Sequence, residues 1–325
     1  MNRYSSFFVV GTLVFSLVLT GCGQQENQPD LSYSVEERLE ALANLDPSDI
    51  RRADTFASGL CVITNDVSLP DSNLSAEAAG VFSLNDHSVI LAKNAYETLY
   101  PASTTKIMTA LLAIRHGDLQ EKVTVGQEVI ITESGATLCN IHPGDTLTLE
   151  QLLYGLMMPS GNDAGAAIAV HIAGSIEDFA DMMNREAWAI GATNTHFVNP
   201  HGLHSEDHYT TAYDLYLIFQ EAMKEPAFRK IVGTGTYTAN YTDASNQPKT
   251  QTWNNSNRFI TGKQPMPDGL TMLGGKTGTT MAAGSCLVVG SQDEEGHEYV
   301  SVVLKAAGRT EVYEDMTNII QKIVN

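Results

Sequence analysis

Positive charge is scarce in this chain: 325 residues carry 19 Lys+Arg against 38 Asp+Glu, a formal net charge of −19. A surface so acidic argues against nucleic acid as a partner and against a polybasic grip on anionic lipid. Cysteine is scarce as well, with four in all. Cys61, Cys139 and Cys286 show neither a disulfide framework nor zinc-knuckle spacing, although outside the cytosol a pair of them could form a disulfide. Cys61 and Cys286 lie in the apolar runs GLCVIT and SCLVVG and read as small core residues. No internal repeat is present. The hydrophobic fraction of 43% is ordinary, which excludes wholesale disorder. A chain this long can bury a large core, as one big domain or two intimate lobes.

The N-terminus supplies an address. Arg3 precedes an apolar run over residues 7–19, too short for a spanning helix and followed by small residues, as in a secretory signal. Leu19-Thr20-Gly21-Cys22 resembles the lipobox of bacterial lipoproteins. That resemblance implies a signal peptide over 1–21, cleavage before Cys22 and lipid on its sulfur. Several acyl chains would hold the protein at the outer face of the cell membrane. Residues 22–55 then form a tether, polar in GQQENQPDLSYS, with a short amphipathic helix in SVEERLEALANL.

The remainder, 56–325, reads as one catalytic domain. Alternating or continuous apolar runs predict strands over 59–64, 79–84 and 89–92. Helical spacing begins at Ser103 and recurs over 149–158, 163–173, 175–190 and 211–224; Ser175 and Asp178 resemble a capping box. Strands return over 285–291 and 298–304, around the charged turn QDEEGHE, and a helix closes the chain over 313–324. Asp293, Glu294 and Glu295 read as a solvated hairpin tip. The class is therefore α+β: one antiparallel sheet built from both chain ends, with an all-helical lobe inserted.

Three short motifs carry chemistry in order. YPASTTKIMTALLAIRHG holds Ser103 and Lys106 at the mouth of a helix, three apart and therefore on one face, about 5–6 Å between Cβ atoms. MMPSGNDAG holds Ser160-Gly161-Asn162 in a Pro/Gly-marked break between helices, and LGGKTGTT holds Lys276-Thr277-Gly278 at a strand. Alone, each is weak. Together, in this order and context, they form the Ser-x-x-Lys, Ser-x-Asn, Lys-Thr-Gly set of penicillin-interacting acyl-transfer enzymes.

The sequence also resembles the serine D-Ala-D-Ala carboxypeptidases among the low-molecular-mass penicillin-binding proteins. PASTTKIMTALLAI, LLYGLMMPSGNDAGAAIA, NTHFVNPHGL, YTTAYDLYLI, NNSNRFI and GGKTGTTMAAGSCLVV all look like that family's segments, over about 79–309. The resemblance implies a β-lactamase/penicillin-binding transpeptidase-like fold. It also implies peptidoglycan stem peptide as substrate and β-lactam antibiotics as acylating inhibitors. No cofactor and no metal is implied. Many members carry a C-terminal β-rich domain with an anchoring helix; none is read here, and lipid on Cys22 would replace that anchor.

Acyl transfer needs a nucleophile, a base, an oxyanion site and a grip on the substrate. Ser103 is the expected nucleophile, too weak an acid to attack unaided. Lys106 can take its proton only when neutral, which requires burial and a second cation nearby. Lys276 would be that cation and would attract the carboxylate of a terminal D-alanine. Ser160 would relay a proton to the leaving amine, and Asn162 would hold Lys106 and the substrate amide. Gly278 would leave the strand edge bare for a peptide. Thr277 would donate to the substrate carboxylate, with Arg309 as a second cationic contact or a plain surface arginine. The amides of Ser103 and Thr279 would form the oxyanion hole, about 3–4 kcal/mol per donor.

Three rival readings exist. A β-lactamase needs a glutamate-activated water, and the Glu-x-x-Leu-Asn pattern is missing; Glu186 stands in a helix interior. A zinc peptidase would use His201, His204, His208 and Asp207 of HGLHSEDH, but their spacing lacks a helical repeat. A catalytically inactive lipoprotein that only binds stem peptides would not need both Ser103 and Lys106.

Overall fold

Six consecutive buried residues, Ala78–Ser83, form β1, the first regular element of the computed structural model, which describes residues 59–63 and 74–324. The signal peptide, Cys22, the tether and the SVEERLEALANL helix lie outside the described residues. β1 pairs with β2 (Val89–Lys93) on one side and with β9 (Glu298–Ala306) on the other, both antiparallel. β8 (Gly284–Asp293) and β7 (Leu270–Thr280) complete a five-stranded sheet in the order β2-β1-β9-β8-β7. A sheet joining both ends of the domain is what the strand pattern predicts.

Burial on both faces explains why these strands read as continuous apolar runs rather than alternating ones. Val81, Leu287, Val289 and Val303 pack against the closing helix, through Tyr313, Met316 and Ile320. Phe82, Val288, Val300 and Val302 face the inserted lobe. The turn between β8 and β9 is solvated as expected. There Asp293 ties the turn, its carboxylate accepting from the amides of Glu295 and His297 and from the Tyr299 hydroxyl.

The inserted lobe is centred on α1 (Lys106–His116), buried from Lys106 to Ala113. Around it lie α2 (Leu149–Met157), α3 (Asn162–Ala173), α4 (Ile176–Ile190), α5 (Ala212–Ala222) and α6 (Pro226–Val232), and α7 (Glu311–Ile320) closes the chain. Several starts fall one residue inside the predicted ones because the polar residue is a cap. Ser175 accepts from the Asp178 amide at 3.0 Å, and Thr211 accepts from the Asp214 amide at 3.0 Å. The Ser175 reciprocal bond runs from its hydroxyl to the Asp178 carboxylate rather than from its amide.

Two features depart from the sequence pattern. Residues 59–63 form no strand: the Cys61 amide donates to the Tyr216 hydroxyl, and the Cys61 carbonyl accepts from the Tyr213 hydroxyl. Side chains of α5 thus take the backbone groups that a ladder would have used. The inserted lobe is also not helical throughout. β3 (Lys122–Thr124), β4 (Thr146–Thr148), β5 (Thr236–Thr242) and β6 (Pro248–Asn254) form a second sheet in the order β3-β4-β5-β6. One face of it is solvent-exposed and carries cross-strand pairs such as Thr238 with Thr252. The other lays Tyr237 flat on Tyr154 of α2, ring centroids 3.7 Å apart. Cys61, Cys139 and Cys286 are buried free thiols.

Candidate active site

Ser103 stands three residues before the strict α-helix. A 3-10 turn over Ala102–Thr105 precedes α1, and its first residue, Ala102, has a φ of 47°, a left-handed conformation that an alanine adopts only under constraint. The Thr104 and Thr105 hydroxyls donate to the carbonyls of Pro101 and Ala102 and tie this turn down, leaving Ser103 half-buried at its crest. Lys106, the first residue of α1, is fully buried.

The Lys106 amine has three partners: Ser103 Oγ at 2.9 Å, Asn162 Oδ1 at 2.7 Å and the His201 carbonyl at 2.5 Å. None is a carboxylate. Burial, and then the neighbouring Lys276, push the Lys106 pKa well below the ordinary lysine value; Asp163 and Cys139 pull weakly the other way. With the amine neutral, its lone pair faces the Ser103 hydroxyl, which can then donate to it.

Lys276 reaches the same pocket from β7. It too is buried, and its amine donates to Ser160 Oγ at 2.9 Å and to the Thr277 carbonyl at 3.0 Å. Burial lowers its pKa to about 7. Ser160 sits in the break between α2 and α3 with a φ of 70°, a second strained non-glycine residue at the site. Behind it, the buried Asp163 carboxylate accepts from the amides of Cys139 and Ile141, and the Asn162 amide donates to the Thr137 carbonyl. These bonds clamp the Ser-Gly-Asn turn to residues 137–141.

Ser103, Ser160, Thr277, Gly278, Thr279 and Arg309 line one cleft of about 320 Å3. Gly278 has a reason the sequence did not disclose: a Cβ there would come within 2.9 Å of the Ser103 amide nitrogen and 3.0 Å of the Pro101 carbonyl. The strand lacks a side chain so that it can press against the turn carrying Ser103. Gly202 plays the same part from below, at a φ of 84°, where a Cβ would meet the Ala102 carbonyl oxygen at 1.8 Å.

Sequence reasoning passed over Ser256, Arg258 and Tyr313, which share the cleft. Ser256 Oγ lies 2.8 Å from Thr277 Oγ1, and the Arg258 guanidinium lies over the Tyr313 ring, 5.0 Å from its centroid. The segment NNSNRFI was the available signal for Ser256 and Arg258, without a role attached, and Tyr313 lies in the closing helix far from it in sequence. The histidines go separate ways. His208 bonds Thr105 through Nε2, His204 stacks edge-on against Tyr100, and His201 contributes its carbonyl to Lys106. Glu186 is committed to Arg115 at 2.6 Å.

Both the sequence and the fold are similar to those of known proteins. A family model described as Peptidase_S11, D-alanyl-D-alanine carboxypeptidase, matches residues 64–308. The D-alanyl-D-alanine carboxypeptidase DacF of Bacillus subtilis (strain 168) is 35% identical over 223 residues, 67% of this chain and 54% of that protein. A D-alanyl-D-alanine carboxypeptidase of Streptomyces sp. (strain K15) is 33% identical over 224 residues, 65% of this chain and 75% of that one. The chain thus spans about half the length of the Bacillus relative. Among solved structures, the Streptomyces K15 DD-transpeptidase superposes with a TM-score of 0.72 at 30% identity, covering 78% of this chain and 98% of its own.

Proposed function

This chain belongs to the D-alanyl-D-alanine carboxypeptidase family Peptidase_S11, and from that premise we propose that it is a serine D-Ala-D-Ala carboxypeptidase. It removes the terminal D-alanine from peptidoglycan stem pentapeptides through an acyl-enzyme on Ser103, and β-lactams acylate the same serine. It works outside the cytoplasm, tethered to the cell membrane by lipid on Cys22. The single observation that carries the catalytic reading is the Lys106 amine, buried without a carboxylate and 2.9 Å from Ser103 Oγ.

Neutral Lys106 takes the Ser103 proton as Oγ attacks the penultimate carbonyl. The amides of Ser103 and Thr279 receive the oxyanion. Ser160, held by a hydrogen bond from Lys276, relays the proton that Lys106 has taken to the departing D-alanine amine as the peptide C–N bond breaks. Lys276 titrates near neutrality when the site is empty, so an arriving carboxylate raises its pKa and keeps it charged. Thr277, with Ser256 beside it, and Arg309 complete the grip on that carboxylate. Water then releases the acyl group.

Incubation with a fluorescent penicillin, followed by mapping of the labelled peptide, tests the assignment, together with D-alanine release from a model pentapeptide. Label on Ser103 that disappears in Ser103→Ala is expected. Label elsewhere, or undiminished in that variant, removes Ser103 as nucleophile. For the anchor, incorporated fatty acid should vanish in Cys22→Ala; retention of it disproves the tether.

A further inference from the structure

The peptide joining Ala102 to Ser103 is gripped from the side away from β7. Ala102 is left-handed, with a φ of 47°, so this peptide does not take an orientation that alanine adopts freely. Its carbonyl accepts from the Thr105 hydroxyl at 2.8 Å. Gly202 packs against both groups: a Cβ there would meet the carbonyl oxygen at 1.8 Å and Thr105 Oγ1 at 2.8 Å. A hydroxyl has one proton to donate, and Thr105 gives it to Ala102. Its other contact, His208 Nε2 at 2.8 Å, is therefore the donor. The second ring nitrogen agrees, since His208 Nδ1 accepts from the Val198 amide at 3.1 Å and leaves the ring proton on Nε2. His208 is 2% exposed, and burial keeps its imidazole neutral, with a pKa pushed down to about 3. Donors thus run in one direction, from the Val198 amide through His208 and Thr105 to the Ala102 carbonyl. The segment carrying His208 is itself tied to the approach to Ser103. The Leu99 amide donates to the Thr210 carbonyl at 2.8 Å, and the Thr210 amide donates to the Leu99 carbonyl at 2.9 Å.

The grip on this carbonyl governs the other end of the same peptide. A trans peptide is planar, and its C=O and N–H point in opposite directions. With the oxygen turned to Thr105 and Gly202, the Ser103 N–H is turned toward β7, where a Cβ on Gly278 would lie 2.9 Å from the Ser103 nitrogen. That amide is one of the two donors that receive the oxyanion.

We propose that His208 is a positioning residue for acyl transfer: through the Thr105 hydroxyl it fixes the Ala102–Ser103 peptide and so aims the Ser103 N–H at the oxyanion. His208 touches neither the nucleophile nor the substrate. Without its proton, the buried Thr105 oxygen lacks a donor and its hydroxyl is no longer held on the Ala102 carbonyl. The assignment rests on the carboxypeptidase reading above.

Stopped-flow acylation by a fluorescent penicillin tests it, with rates counted per titrated site so that unfolded protein drops out. In His208→Asn the side-chain amide reaches only as far as Nδ1, whereas in His208→Gln an N–H again reaches Thr105. Thr105→Val breaks the same relay one step later and leaves His208 in place. In the Asn and Val variants the first-order acylation rate should fall by about tenfold to a hundredfold, as for a slightly misplaced catalytic group. The saturation constant should stay within about twofold, because the oxyanion is present only in the transition state. Hydrolysis of the acyl-enzyme passes through a second oxyanion and should slow as well. His208→Gln should recover most of the acylation rate. Native acylation rates in both defective variants, a loss confined to the saturation constant, or a Gln variant as slow as Asn would overturn the positioning role alone. If His208→Asn yields no folded protein, the rate of Thr105→Val decides. Label outside Ser103 in the native protein removes the carboxypeptidase reading and this role with it.

Discussion

The two ends of helix α1 hold two cations in opposite ways. Lys106, at the N-terminal end, is fully buried, has only neutral oxygen partners and faces a second lysine. Arg115, nine residues on and about 13 Å along the axis, is gripped by Glu186 and Glu221 at 2.6 Å and by Glu225 at 3.0 Å. The helix dipole widens the contrast, since a positive charge is disfavoured at an N-terminus and favoured at a C-terminus. In a chain with 38 acidic residues, the missing carboxylate at Lys106 is what stands out. One end of the helix is arranged for a stable charge, the other for its absence. A base must be uncharged to act, and the fold sustains that condition at a cost in stability.

The largest effect should come from removing the uncharged amine. Lys106→Met keeps a similar volume but abolishes proton transfer, and acylation by a fluorescent penicillin should fall by about 10²–10⁴-fold, the usual contribution of a general base. The Asn162 and His201 oxygens lose their donor, each at about 1–3 kcal/mol, while the cost of burying an amine is relieved. Acylation rates measured on the folded fraction separate the two consequences. A rate within tenfold of the native protein would place the base elsewhere, and the contrast along α1 would lose its meaning.

How much of this was legible in the sequence depended on whether the determining contacts were local. Ser103 and Lys106 are three residues apart on a turn, so their proximity follows from helical geometry, even though the turn proves to be 3-10 and starts on a strained Ala102. The five-stranded sheet was visible because strands buried on both faces are continuously apolar. The four-stranded sheet was not: β3 and β4 are only three residues long, and β6 carries one large apolar residue, Trp253, among Lys, Thr, Gln and Asn, so no apolar run marks it. Ser256, Arg258 and Tyr313 come from separate segments and meet only in three dimensions. The reason for Gly202 was equally hidden, being the Ala102 carbonyl a hundred residues away in the chain.

Lys276 offers the second test, by pH. Its folded pKa, about 7, lies below the 10.5 of an exposed lysine. Between those values the unfolded chain holds a proton that the folded protein does not, so unfolding free energy rises with pH across that window. The upper limit is about 1.4 kcal/mol per pH unit. Urea unfolding of the native protein and of Lys276→Met, compared at pH 7 and pH 9, isolates this group from other titrations. The native protein should gain stability relative to the variant as pH rises. A constant difference, or the opposite sign, would mean that Lys276 stays fully charged in the folded state at neutral pH.

The smallest effect belongs to Arg115. Replacing it with Gln leaves three glutamates facing one another, of which Glu221 keeps its bond to Lys224. All four members of the cluster retain some exposure, the side chains of Arg115 and Glu225 being 27% accessible, so solvent screens both the lost attraction and the new repulsion. A destabilisation of about 1 kcal/mol is therefore expected in urea unfolding at low salt, shrinking as ionic strength rises. Penicillin acylation of Ser103 should be unchanged, because the exposed pairs are too screened to alter the Lys106 amine at the far end of the helix. If the variant instead slows acylation without loss of folded protein, the charges at the two ends of α1 are coupled through its length. Lys106 would then owe its neutrality to the whole helix rather than to its own pocket.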